Sequence, residues 1–326
     1  MFTLERNFKE WKLKGFGGAK AELFETIGST HAYMKELACA GLIAPGTLFV
    51  ADSQRTGRGR HERTWDSPAG KNLYFNILIP LDGIPANRYA QITQVSALTF
   101  AEVFNEIQAA ANLETADHKC AVPANCAFPA SGNIAPPKIT VKWPNDILYG
   151  KSKFCGILAE VVFAKIPASP RQARTGAGMT CENVGMTSES APRPALNMGV
   201  GINVNSAPED YAHLNRAVTT LKAIVGRTIN REKLLQMLVG NLERAVGQFK
   251  AFGISPWISA WRKMDKFIGA RGTIVVNNRC TDQNRDSGEG SVKKTGTILD
   301  MQSDGSLLFK CDDGSIETVI SADLEI

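Results

Sequence analysis

The sequence predicts an α+β chain, with a mixed β-sheet and flanking helices followed by a small C-terminal β-barrel. Three observations predict it. Strand-length apolar runs and long segments of helical period are interspersed as far as about Lys266. Beyond that point only short strand-like runs remain, with Asp304-Gly305 and Asp313-Gly314 as hairpin turn signals between them. The 326 residues suffice for a large core and two domains, placed at 1–265 and 266–326.

The elements follow in order. Residues up to about Glu22 are short and glycine-containing; they form an edge strand or stay loose, and are too few for a helix-turn-helix domain. His31 to Ala40 has helical spacing, with Ser29 or Thr30 as N-cap and Gly41 as the stop. Leu48 to Ala51 is a buried strand leading into Asp52, Ser53 and Gln54, and Leu73 to Pro80 is an alternating strand. Arg88 to Ala111 is a long helix with Ile92, Val95, Leu98, Val103, Phe104 and Ile107 on one broad face. Asn112 to Pro137 then loses all periodicity, and Ala164 to Pro194 is a second Pro- and Ser-rich stretch; both read as surface inserts. Between them lie strands Ile139–Trp143 and Phe154–Phe163, joined by a turn.

Leu196 to Val204 is a strand with Gly199 and Gly201 on one face, marking a bulge or a close approach by backbone or ligand. A helix opens at Asn230 and ends at Gly253, and Ser255-Pro256 starts another. The terminal strands are Thr273–Val276, Gly296–Met301, Ser306–Cys311 and Glu317–Ile320, with a long loop at Thr281 to Ser291.

Bulk composition narrows the function. Hydrophobic content of 44% and charged content of 21% are ordinary for a soluble globular chain, and the net charge of +5 permits an acidic partner without demanding nucleic acid. Apolar runs break well short of the ~20 residues of a membrane span. The seven cysteines include no Cys-x-x-Cys pair, which fits a reducing compartment and argues against a disulfide scaffold or a zinc site. Met1 to Lys20 has no apolar signal core, and Glu5 and Glu10 weigh against a mitochondrial leader. A cytoplasmic protein is expected, with no membrane or nucleic-acid partner and no protein-built metal site. Oligomeric state stays open.

The chemistry concentrates between Gln54 and Phe75. Gly57 and Gly59 free the backbone of a mobile loop, and Arg58, Arg60 and Arg63 set three fork-shaped cations beside them. Trp65 adds a flat apolar wall. Such a loop is either a solvated basic turn or a clamp for carboxylate or phosphate oxygens. Known glycine-rich nucleotide motifs do not account for it. Gly150-Lys151-Ser152 has Asn145 where a P-loop needs glycine, and Glu62 stands where a third loop glycine would fall.

Three stretches, in order, resemble the signature of biotin–protein ligases. They are Gly57-Arg58-Gly59-Arg60 with Trp65, Ser67-Pro68, Gly70 and Leu73-Tyr74; Lys142-Trp143-Pro144-Asn145-Asp146 with Lys153 to Leu158; and Gly199-Val200-Gly201-Ile202-Asn203. The resemblance covers most of Glu25 to Ile326 apart from the inserts. Glu62 replaces the family's usual glycine, and His31 replaces an asparagine that often follows Ser-Thr. The implied fold is the class II aminoacyl-tRNA synthetase-like ligase sheet plus an SH3-like domain, in a monofunctional form without a DNA-binding domain.

The resemblance implies that biotin and ATP form biotinyl-5′-AMP, with magnesium on the phosphates, and that biotin then passes to a lysine of a biotin carboxyl carrier domain. Arg58, Arg60, Lys153 and Asp146 form the implied catalytic set. Implied ligand contacts are Ser29, Thr30, His31 and Gln54; Gly57, Arg58, Gly59, Arg60 and Trp65; Lys142, Asn145 and Lys153; Gly156, Ile157 and Leu158; and Gly199, Gly201 and Asn203. Asp146 either orients the incoming amine or caps the turn after Pro144. Rival readings are a lipoate- or octanoate-transferring relative and a non-catalytic binding module.

Overall fold

The computed structural model describes residues 7–60, 63–117, 139–165, 191–214, 216–277, 291–320 and 322–325. Along the chain run β1 (Ala21–Ile27), α1 (Thr30–Ala40), β2 (Leu48–Gln54), β3 (Leu73–Pro80), α2 (Tyr89–Asp117), β4 (Ile139–Lys142), β5 (Asp146–Tyr149), β6 (Ser152–Ala164) and β7 (Arg193–Ile202). Then follow α3 (Leu221–Val225), α4 (Arg231–Phe252), α5 (Ser255–Met264) and the strands β8 (Arg271–Asn277), β9 (Ser291–Met301), β10 (Leu307–Cys311), β11 (Ile316–Val319) and β12 (Asp323–Glu325).

β3 sits inside a mixed sheet ordered β1-β2-β3-β7-β6-β5-β4, with β1 and β2 parallel and the other pairs antiparallel. Both faces of β3 are covered. Phe75, Ile77 and Ile79 join the large core with α2 and α4, whereas Leu78 packs with Met34 and Ala38 of α1. An alternating strand is therefore buried along nearly its whole length. Phe100 and Phe104 of α2 meet Phe75 and Phe154 edge-on, with centroids 6.4 and 5.1 Å apart.

α1 starts and stops as its sequence signals require. Ser29 Oγ accepts from the Ala32 N–H, and Gly41 takes the left-handed conformation at φ 74°. The edge strand starts later than the N-terminal stretch that was expected to supply it: residues 7–20 carry no strand, and β1 at the sheet edge begins at Ala21.

Several boundaries differ from expectation. α2 continues to Asp117, because residues 112–117 contain no proline or glycine, so the first insert starts later than Asn112. Ala164 closes β6 and Arg193-Pro194 opens β7, which trims the second insert at both ends. The remainder of both inserts and the loop from Thr281 lie outside the described residues. β5, α3 and β12 are elements of three to five residues, too short for periodicity to reveal.

The five C-terminal strands form an antiparallel sheet ordered β11-β10-β9-β8-β12, which fits the expected SH3-like domain. Its Asp304-Gly305 turn docks on the larger sheet's helical layer. Gln91 and Gln94 donate to the Asp304 and Gly305 carbonyls at 2.8 and 2.6 Å, and Trp143 Nε1 donates to the Gly305 carbonyl at 3.1 Å. Gly305 is obligatory there, at φ 82° with the Gln94 side chain filling the space a Cβ would need.

Asp265 lies at the junction between the two parts, accepting from Trp261 Nε1 at 3.2 Å and from the Phe267 N–H at 2.9 Å. Burial pushes its carboxyl up from 3.8 to about 6. A raised carboxyl contributes stability that is fully present below the unfolded value and is lost as pH rises through about 6. Urea unfolding of the Asp265→Asn variant between pH 4 and 7 should lack this component. The wild type should lose on the order of 2–3 kcal/mol relative to the variant over that window. Parallel pH profiles would contradict the assignment.

Candidate active site

Where β3, β7 and β6 pass beneath the N-terminus of α1, they floor a cleft that is open to solvent. Its two ends differ in chemistry.

One end is neutral and built from amides and hydroxyls. The Thr30 N–H donates to Gln54 Oε1 at 2.9 Å, and Thr30 Oγ1 lies 2.7 Å from Asn76 Oδ1. Asn76 Nδ2 reaches Asn197 Oδ1 at 2.8 Å and His31 Nδ1 at 3.1 Å, and Asn197 Nδ2 donates to the His31 carbonyl at 2.9 Å. Burial lowers the His31 pKa, opposed by Glu160, whose carboxylate is 3.4 Å from Nε2. A neutral His31 with its proton on Nε2 satisfies every one of these contacts. Nδ1 then accepts from Asn76, and the Thr30 hydroxyl donates to Asn76 Oδ1.

The remainder of the lining is cationic, and its Arg58 lies near enough to His31 to oppose a proton there. Arg58, Arg60, Arg63, Lys153 and Arg216 line it against two carboxylates, Asp146 and Asp323. The loop carrying the arginines is a short hairpin with Arg58 bridged to Thr64. Gly59 N–H donates to the Arg63 carbonyl at 2.7 Å, and Trp65 N–H to that of Gly57 at 2.9 Å. The mobile loop expected from its glycines is thus paired at its base, because cross-hairpin bonds offset the glycine entropy. Gly57 stands at that base, hemmed in by the Trp65 carbonyl and Ser67. Glu62 lies outside the described residues.

Trp65 folds back between the two ends. A Cβ on Gly201 would fall 2.6 Å from Trp65 Nε1, and one on Gly156 would fall 3.0 Å from its ring. The close approach expected at Gly201 is thus an indole, and at Gly199 it is Asn76 and His31. Lys153 Nζ sits 5.3 Å above the Trp65 ring and 2.6 Å from Asp146 Oδ1. Asp146 therefore opens β5 as the counter-ion of Lys153. Asn145 Nδ2 donates to the Ile157 carbonyl at 2.5 Å, tying the turn after Pro144 to β6.

Residues 23–169 match the model of the "Biotin/lipoate A/B protein ligase family". This stretch is a biotin/lipoate A/B protein ligase family domain. The chain is 26% identical over 262 residues to the bifunctional ligase/repressor BirA of Escherichia coli, covering 80% of this chain and 64% of that protein. It is 27% identical over 304 residues to BirA of Bacillus subtilis, covering 93% and 72%. The biotin–[acetyl-CoA-carboxylase] ligase of Mycobacterium tuberculosis is 24% identical over 263 residues, covering 80% and 77%. The chain thus spans less than two thirds of the E. coli relative. Among solved structures, the biotin protein ligase from Aquifex aeolicus in complex with biotin and ATP superposes with a TM-score of 0.61 at 22% identity, covering 94% and 97%. That likeness is one of fold.

Within the cleft, the structure assembles Ser29, Thr30, His31, Gln54, Arg58, Gly59, Arg60, Trp65, Asn145, Asp146, Lys153, Gly156, Ile157, Leu158, Gly199 and Gly201. Three other expected residues stand apart from its lining. Asn203 faces a smaller recess beyond Trp65 and Lys153, its side chain donating to the Thr219 carbonyl at 3.3 Å. Lys142 lies over Phe267 with its pKa lowered by burial, and Gly57 is at the hairpin base.

The sequence reading missed Asn76, Asn197, Arg216 and Asp323. An asparagine inside each of two otherwise apolar strands was a usable signal for the first pair. Asp323 carried none. Cys155, fully buried beside Lys153, has its thiol pushed far up by burial and is unsuited as a nucleophile.

The Gly201–Trp65 packing generates a prediction. Gly201→Ala should expel the indole at a cost of about 1–3 kcal/mol and shift its emission to the red. Unchanged emission would show that the ring does not rest on this glycine.

Proposed function

We propose that this chain is an ATP-dependent biotin–protein ligase that biotinylates a lysine of a biotin carboxyl carrier domain. The observation that carries the reading is the two-ended cleft, neutral and amide-lined at Thr30 and Gln54 and cationic at Arg58, Arg60 and Lys153. A heterocycle with hydrogen-bonding groups at one end and a carboxylate at the other complements both. A dithiolane has no donors or acceptors to satisfy the amide end, which favours biotin over lipoate.

In the first step a biotin carboxylate oxygen attacks the α-phosphorus of ATP and the bond to pyrophosphate breaks. Both reactants are anions, so Arg58, Arg60 and Lys153 lower their repulsion and stabilise the developing phosphorane charge. Ser29, Thr30 and Gln54 hold the ureido ring. Gly156, Leu158 and Gly199 border the ring and tail, and Trp65 excludes water from the anhydride. In the second step the acceptor amine attacks the acyl carbon, the bond to AMP breaks, and an amide forms. Asp146 is assigned to orient the incoming amine once Lys153 has turned to the phosphate.

Magnesium would enter with the triphosphate. Among the described residues no cluster of three acidic, histidine or cysteine ligands occurs, and Asp146 is already paired to Lys153. The ligase unit is proposed to end near residue 265, where α5 gives way to the five-stranded sheet. A cytoplasmic location fits the unpaired Cys39, Cys155 and Cys311; among the described residues no helix is long and apolar enough to cross a membrane.

Incubation of the full chain with labelled biotin, ATP and a purified carrier domain should transfer label to one lysine. Lys153→Gln should slow adenylation by about 10²–10³-fold while biotin alone still binds. Arg60→Ala should keep the fold and leak adenylate into solution. Equal transfer of lipoate, or adenylation unaffected by Lys153→Gln, would overturn the reading.

A further inference from the structure

The five-stranded sheet contributes a residue to the cleft that no motif marks. Asp323, the first residue of β12, has a side chain only 12% exposed and binds two arginines of the hairpin. Its Oδ1 is 3.3 Å from Arg60 Nη1 and its Oδ2 is 2.8 Å from Arg63 Nη2. Arg60 Nη1 also donates to the Ala322 carbonyl at 3.2 Å, so the first residue of β12 and the residue before it hold one guanidinium. β12 is itself fixed by antiparallel pairing with β8, from Asp323–Val275 to Glu325–Thr273. The counter-ion is therefore carried on a strand of a different sheet from the floor of the cleft.

We propose that Asp323 is a positioning residue: it latches the cationic hairpin to the C-terminal sheet and yields Arg60 to an incoming phosphate or carboxylate. The two pairs differ in what they do. Arg63 is 59% exposed and points at the rim, so its pair with Asp323 anchors the hairpin. Arg60 is 21% exposed, lines the cleft and lies 3.5 Å from Asn145 Oδ1, so its guanidinium is shared between the latch and the ligand space. A carboxylate that takes both oxygens to two arginines keeps like charges together while no anion is bound. When an anion enters, Arg60 exchanges one carboxylate oxygen for a phosphoryl oxygen, while Arg63 and Asp323 keep the hairpin seated. The proposal rests on the adenylation reading only in expecting an anionic ligand; its test needs no turnover.

Trypsin cleavage at Arg58, Arg60 and Arg63 reports hairpin opening directly, since cleavage follows the open population when reclosing is fast. Asp323→Asn keeps the shape of the side chain and removes its charge; it should be cut roughly tenfold faster than wild type at an unchanged thermal midpoint. Arg63→Gln, on the exposed side of the pair, should lose part of the protection at Arg58 and Arg60, since the Arg60–Asp323 pair survives it. The double variant should be no worse than Asp323→Asn alone, because that change already removes the Arg63 contact. Asp323→Glu should restore part of the protection. Inorganic pyrophosphate should protect Asp323→Asn at several-fold lower concentration than wild type, since the competing carboxylate is gone. Equal cleavage rates for wild type and both single variants, or additive losses in the double variant, would overturn the latch. Equal pyrophosphate midpoints would overturn the exchange of Arg60. Pyrophosphate protection without any biotin-dependent activity would leave the latch standing and remove the ligase reading.

Discussion

Mutual repulsion among the cations of the cleft is the constraint on which this structure turns. Five cationic side chains line it beside two carboxylates, and each would move outward if nothing held it. Asp146 restrains Lys153 from within the same sheet, and Asp323 restrains Arg60 and Arg63 from the other sheet. Trp65 adds a π face under the Lys153 ammonium and is held in turn against Gly201 and Gly156. Cations held this way stay gathered at the cleft while no anion is bound.

The neutral end has the opposite problem. Asn76 and Asn197 are buried in strands whose neighbours are apolar, where any unpaired amide would be costly. Their side chains close a chain of bonds with Thr30, Gln54 and His31 that leaves the donor and acceptor pattern fixed. A fixed pattern discriminates between ligands by which of its groups a wrong ligand leaves unmet. Under the proposed function the two groups divide the work, one setting identity and the other charge, on one floor formed by β3, β7 and β6.

Much of this was legible in the sequence because it rests on local rules. The bounds of β3 and the caps of α1 followed from pattern and turn chemistry, and the glycine pair of β7 marked a close approach. What was not legible depends on distance in the chain. Asp323 reaches Arg60 across 263 positions of sequence, and β12, at three residues, has no periodicity to read. The turn at Asp304-Gly305 was visible as a turn, yet its docking on Trp143 and Gln94 was not, because docking depends on where α2 ends up. α2 itself outran its predicted end where the sequence offers no breaker, a case of helix continuing by default.

The account's central claim is that this cleft joins a carboxylate to a nucleotide phosphate. The most direct measurement is biotin-dependent isotope exchange between pyrophosphate and ATP, with the full chain, magnesium and no acceptor protein. The expected result is exchange that needs biotin, is not supported by lipoate, and falls with Lys153→Gln. Folded protein showing no exchange with either acid would contradict it.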